Sequence, residues 1–171
     1  MPRYAAFLRG VSPMNARMAE LKACFERMGF TDVRTLRSSG NVIFTSDRRQ
    51  TASLARDIEA GMSRDLPRSF PVIVRTTEHL ASLLAADPFA GFDVPPEAKR
   101  VVTFLSEPPA DVPALPVELD GARILALKGA ELFTVYLPSD RGPVFMTLIE
   151  KTFGRNVTTR TWDTIAKCAV A

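Results

Sequence analysis

Histidine is nearly missing from this chain: His79 is the one copy among 171 residues, beside two cysteines and one tryptophan. That scarcity excludes several chemistries. Cys24 and Cys168 lie far apart, each inside a helical pattern and neither in a Cys-x-x-Cys pair, so no zinc site and no disulfide framework is expected. Both read as small core residues. No serine or cysteine has histidine and acid partners at a spacing that suggests a hydrolase triad. No apolar run approaches the roughly 20 residues of a membrane helix. The apolar start, Tyr4 to Leu8, is interrupted by Arg9 before it reaches signal-peptide length. The expectation is a cytoplasmic protein with no membrane partner, no metal and no cofactor.

Lysine is scarce beside arginine, and the net charge is only +3. Arginine's planar fork suits phosphate and carboxylate ligands better than lysine's point charge does. A GC-rich genome produces the same bias, and a charge of this size informs association rather than fold. The aromatic pattern of an RNA-recognition sheet is also lacking, because Tyr4-Ala5-Ala6-Phe7 and Asn41-Val42-Ile43-Phe44 do not interleave exposed rings with basic residues. With 46% hydrophobic and 24% charged residues, the chain has ordinary globular composition, enough for one domain or two small subdomains sharing a core.

Tyr4 to Leu8 has no polar alternation, the pattern of a strand in the middle of a sheet. Met18, Leu21, Phe25 and Met28 then recur at helical spacing, with Asn15 or Ala16 expected to start the helix and Gly29 at its C-cap. Val33 to Leu36 alternates as an edge strand does, and Val42-Ile43-Phe44 is continuous as a central strand is. Leu54, Ile58 and Met62 mark a second helix, stopped before Pro67. Phe70 to Val74 is a strand whose proline sends it to an edge. This β-α-β-β-α-β order is the split βαβ arrangement, in which the first and third strands are central.

A connecting helix from about Thr77 buries Leu80, Leu83 and Leu84 and gives way at Asp87-Pro88-Phe89. Val101 to Leu105 opens a second series. Ala122 to Leu127 and Leu132 to Leu137 form a hairpin about Lys128-Gly129-Ala130, and Phe145 to Phe153 is a helix closed by Gly154. Val157 to Thr159 is a short last strand. The segment between the first two strands of this half, Glu107 to Leu119, holds four prolines and makes a poor helix. The fold class expected is α+β: two pseudo-symmetric ferredoxin-like (βαββαβ) subdomains with antiparallel sheets, plus a C-terminal helix with Trp162, Ile165, Ala166 and Ala169 on one face. The division expected is residues 1–76 for the first subdomain, 77–97 for a connecting helix and loop, and 98–171 for the second subdomain with the C-terminal helix.

Four stretches in order carry a resemblance: Leu8-Arg9-Gly10-Val11, the helix from Met18 ending at Gly29 to Thr35, Ser39-Gly40-Asn41-Val42-Ile43-Phe44, and Thr158-Thr159-Arg160-Thr161-Trp162. Together they resemble the bacterial family catalogued as domain of unknown function 1697, over nearly the whole chain. The resemblance implies two ferredoxin-like subdomains and no established activity. Many members carry a glycine-rich, lysine-containing loop after Leu-Arg-Gly, where this chain has Val11 to Arg17. Pro13 removes one backbone donor and Met14 adds bulk, so the resemblance does not bring a phosphate-cradling loop with it. Thr161 and Asp163 stand where the family leads one to expect asparagine.

In a split βαβ sheet the end of the first strand, Arg9-Gly10, lies beside the start of the third, Gly40-Asn41. The candidate ligand-binding set is therefore Arg9, Asn15, Arg17, Arg37, Ser39, Gly40 and Asn41, next to a helix N-terminus that favours anions. Arg160 is added because it stands beside Trp162 and suits stacking and pairing with a nucleotide. Structural readings compete with each. Ser-Gly-Asn is a good hairpin turn with solvated arginines around it. Thr161 can cap the last helix, with Asp163 in its first turn and Trp162 anchoring it. Arg48-Arg49 and Arg64 to Arg68 read as solvated helix ends.

Two functions of different class follow. One is a soluble binding module for an anionic ligand, whether nucleotide, phosphometabolite or nucleic acid, at the arginine-rich turn. The other is a small cofactor-free enzyme with a polar cleft between the subdomains built from Asn41, Arg9 and Arg160, for which no general acid or base stands out. Oligomeric state is not legible.

Overall fold

The middle of the first sheet is strand β1 (Arg3–Leu8), whose residues from Tyr4 onward are all buried. A computed structural model describes residues 1–36, 40–48, 50–138 and 142–171 of the chain; of the candidate residues, Arg37 and Ser39 lie outside this set. The chain divides into two units, one made of Met1–Ser82 with Ala166–Ala171 and the other of Leu83–Ile165.

In the first unit β1 is followed by α1 (Met18–Arg27), β2 (Thr31–Leu36), β3 (Asn41–Thr45), α2 (Thr51–Asp65) and β4 (Val72–Thr76). The sheet order is β2-β3-β1-β4, antiparallel throughout, so the two fully apolar strands are central and the alternating and proline-flanked ones are at the edges. The two periodicities explain the core. Tyr4, Ala6 and Leu8 share one face of β1 with Val42 and Phe44 of β3, and that face meets Leu21, Cys24 and Phe25 of α1 and Leu54, Ile58 and Met62 of α2. Phe44 is the centre of a ring cluster, 4.4 Å from Phe30 and 5.5 Å from Tyr4 between centroids. Each such ring contributes about 1.5–3 kcal/mol of burial. Helix α1 starts at Met18, later than Asn15 or Ala16, with Arg17 at the N-cap and no side-chain cap. Asn15 is engaged in the preceding loop instead.

The second unit contains β5 (Lys99–Leu105), β6 (Val117–Leu119), β7 (Ala122–Lys128), β8 (Glu131–Tyr136), α4 (Val144–Phe153) and β9 (Val157–Thr161), in sheet order β6-β7-β8-β5-β9. Strands β7, β8, β5 and β9 repeat the order of β2, β3, β1 and β4. What differs is the crossover from β5, where the proline-rich segment forms no helix and ends in the edge strand β6. The two-residue turn Asp120-Gly121, with φ of 45° and 87°, joins β6 to β7 and suits a twisted hairpin. Helix α4 packs on β6, β7 and β8, with Phe145 stacked on Tyr136 at 4.0 Å.

Helices α3 (Thr77–Ala86) and α5 (Trp162–Val170) contain the boundaries between the units. The Thr161 hydroxyl accepts the Thr164 N–H at 3.2 Å and so caps α5, with Asp163 in the first turn. Trp162 meets the edge of Phe89 at 5.1 Å, which in turn meets Phe133. Among the described residues no helix is long and apolar enough to cross a membrane.

Candidate functional site

Three loops of the first unit arrive at one end of its sheet, because β1 ends where the antiparallel β3 and β4 begin. Register fixes this: Phe7 faces Asn41, and Leu8 faces Val72. The Leu8 N–H donates to the Gly40 carbonyl at 2.9 Å, and the next N–H, of Arg9, donates to the Pro71 carbonyl at 2.9 Å. Arg9, Gly40 and Asn41 are thus neighbours through the backbone of β1.

The loop from Arg9 to Arg17 is tied to the same place by Asn15. Its carboxamide donates to the Gly10 carbonyl at 2.8 Å and accepts the Ser12 N–H at 2.9 Å. The Ser12 carbonyl also accepts the N–H groups of Asn15 and Ala16, both at 3.1 Å. Arg17 follows, exposed, its carbonyl accepting the first helical N–H groups from Glu20 and Leu21. Gly10 is left-handed at φ 83°, a conformation open to glycine.

The two turn residues have structural work to do. Gly40 has φ 85° and no room for a side chain. Asn41 is fully buried, and its carboxamide donates to the Leu36 carbonyl at 3.1 Å, closing the connection from β2 to β3. Arg160 belongs to the second unit, on the edge strand β9, where its guanidinium donates to the Thr158 hydroxyl at 2.7 Å and the Thr159 carbonyl at 2.9 Å.

Sequence reasoning passed over Arg68. It is exposed, as a solvated helix end is, but its guanidinium also lies over the Phe70 ring, 5.4 Å from the centroid, and its Nη2 is 4.0 Å from where a Gly10 Cβ would stand. A signal was available in Arg68-x-Phe70 ahead of a strand whose start the topology puts beside Gly10. Of the other arginines read as solvated helix ends, Arg48 bonds Asp57 and Ser53, Arg64 pairs with Asp65 at 3.3 Å, and Arg49 lies outside the described residues. Ion pairs among the described residues engage Arg3, Arg27, Arg34, Arg48, Arg64, Arg123 and Arg155, but not Arg17 or Arg68.

Elsewhere, Cys24 lies under α2 with its thiol 3.9 Å from the Asp65 carboxylate. Burial, and then the Asp65 charge, push that thiol above its ordinary range. In the second unit a groove of about 600 Å³ runs beside the β6–β7 turn, with Asp93, Glu118 and Asp120 among its lining. Among the described residues no group of three or more histidine, cysteine, aspartate and glutamate side chains is arranged to hold a metal ion.

None of the curated proteins matches the chain. Its structure is similar to that of the conserved bacterial protein SP0830 from Streptococcus pneumoniae, with a TM-score of 0.73 and 21% sequence identity, over 99% of this chain and 97% of that one. That likeness carries the fold. A family model described as a protein of unknown function, DUF1697, matches residues 1–133, and the chain belongs to that family.

Proposed function

We propose that the protein is a binding module for an anionic ligand, a nucleotide, a phosphometabolite or a nucleic acid, taken up at the end of the first sheet by Arg9, Asn15, Arg17 and the turn that contains Arg37, Ser39, Gly40 and Asn41. The supporting observation is the meeting of three arginine-bearing connections there, through the Leu8 to Gly40 and Arg9 to Pro71 hydrogen bonds. Arginine side chains borne on those connections would raise the local positive potential and offer forked donors to phosphate or carboxylate. Asn15 contributes by holding the loop, and Gly40 and Asn41 by holding the turn. The ligand finds the loop from Gly10 to Ala16 already tied by Asn15, which lowers the entropic cost of binding.

The test is thermal shift in sodium phosphate, and separately with ADP, each against sodium chloride of equal ionic strength, together with retention on heparin. An Arg9→Ala, Arg17→Ala double variant is expected to lose the phosphate and ADP shifts and to elute earlier from heparin. Equal shifts and equal retention in the variant and the parent protein reject this site.

A further inference from the structure

Arg68 is exposed, and its guanidinium sits over a buried ring. It lies over Phe70, which is 2% exposed and therefore a fixed platform. The segment carrying both residues is held by Glu59, whose carboxylate accepts the Val72 N–H at 2.9 Å and whose carbonyl accepts the Ser69 hydroxyl at 3.0 Å. Its Nη2 reaches to 4.0 Å from the Cβ position of Gly10, so the missing side chain there leaves the main chain open to a ligand beneath the guanidinium. Among the described residues, the N–H groups of Gly10 and Val11 have no protein acceptor.

On these grounds, and resting on the anion-binding reading above, we propose that Arg68 and the Gly10-Val11 backbone bind the phosphoryl group of a phosphate monoester. Such a group carries a charge of about −1.5 to −2 at neutral pH and several strong acceptor oxygens. It can take both N–H donors of a guanidinium edge and the two backbone donors together. A lone carboxylate offers two oxygens and one charge, which leaves part of this donor set unused. Contact with the Phe70 ring favours the place of the guanidinium over Gly10 before a ligand arrives.

Titration calorimetry with inorganic phosphate, glycerol 3-phosphate and acetate tests the assignment in the parent protein, in Arg68→Gln and in Gly10→Asn. Asparagine tolerates a left-handed backbone and places a side chain toward Arg68. Both variants are expected to bind the two phosphates at least about tenfold more weakly, the loss of a charge-assisted contact, while each keeps a cooperative melting transition in chloride. Acetate is expected to bind the parent protein more weakly than either phosphate does. If Arg68→Gln keeps parental phosphate affinity while the Arg9, Arg17 double variant loses it, Arg68 is not the contact and the broader anion reading stands. Acetate binding as tightly as phosphate rejects the phosphoryl assignment alone. Absence of phosphate binding by the parent protein rejects both.

Discussion

The carbonyl of Gly40 accepts the Leu8 N–H at 2.9 Å, and the two residues are so close that a Cβ built on Gly40 would stand 3.1 Å from both the Cβ and the carbonyl oxygen of Leu8. Val11 closes the third side at 3.0 Å. A Gly40→Ala variant therefore meets left-handed strain at φ 85° and crowding by the Leu8 carbonyl oxygen and the Cβ atoms of Leu8 and Val11, none of which a side-chain rotation moves. A loss of about 2 kcal/mol or more is expected in urea unfolding. An unchanged midpoint and slope contradict the close approach.

Asn41 is expected to matter for stability before ligand binding is considered. Replacement by alanine removes the donor to the Leu36 carbonyl from a fully buried position, at about 1–3 kcal/mol. Asn41→Asp is expected to be worse, since it turns an acceptor toward a carbonyl and buries a charge. Chemical denaturation of the two variants orders them, and an aspartate variant as stable as the parent protein refutes the bond.

Cys24 predicts a pH dependence. Its thiol is raised in the folded state by burial first and by the Asp65 carboxylate second, from an ordinary value of 9.0. The unfolded chain therefore gives up this proton at a lower pH than the folded one. The contribution is fully present below pH 9.0 and is lost as pH rises from there through the folded value. Stability between pH 9 and 10.5 is expected to fall less steeply in Cys24→Ala than in the parent protein, measured as the change with pH within each. Alkylation of native Cys24 at pH 8 is expected to be slow beside that of the unfolded chain. Parallel alkaline slopes in the two proteins refute the shift.

Thr161 caps α5 through its hydroxyl, which accepts the Thr164 N–H at 3.2 Å and lies 2.9 Å from the Thr164 hydroxyl. Thr161→Val keeps the shape and loses the cap, at about 1 kcal/mol, whereas Thr161→Ser keeps most of it. Calorimetry of both separates the hydroxyl from the methyl group, and equal melting temperatures contradict the cap.

The strand order of the first unit was legible because burial leaves a mark on each strand: continuous apolar runs at Tyr4 to Leu8 and Val42 to Phe44, alternation at Val33 to Leu36, proline ahead of Val72. The repeated order in the second unit was legible for the same reason. Strand β6 was not, since Val117–Leu119 is three residues long, ends a proline-rich segment and has no period to read. The start of α1 was misjudged because Asn15 is both a good cap and a good loop residue, and only the position of the Gly10 carbonyl decides between them. That the end of β1 lies beside Gly40-Asn41 followed from topology. The approach of Arg68 to Gly10 joins residues far apart in sequence through a side-chain rotamer, which no local pattern encodes. Arg37 and Ser39 lie outside the described residues.

The replacement of a crossover helix by the β6 hairpin also bears on self-association. Without β6, the seven-residue strand β7 would end the sheet, offering a long row of unpaired backbone groups on which a neighbouring chain could template. With β6 in place the boundary is a three-residue strand preceded by Pro116, too short to nucleate cross-chain pairing. The first sheet protects the corresponding edge by another route. In β2 the left-handed Asp32, the register shift between Thr31 and Arg34, and the charges of both Asp32 and Arg34 interrupt the flat ladder that an incoming strand requires. Two unrelated local sequences thus shorten or interrupt the edges on which cross-chain pairing depends.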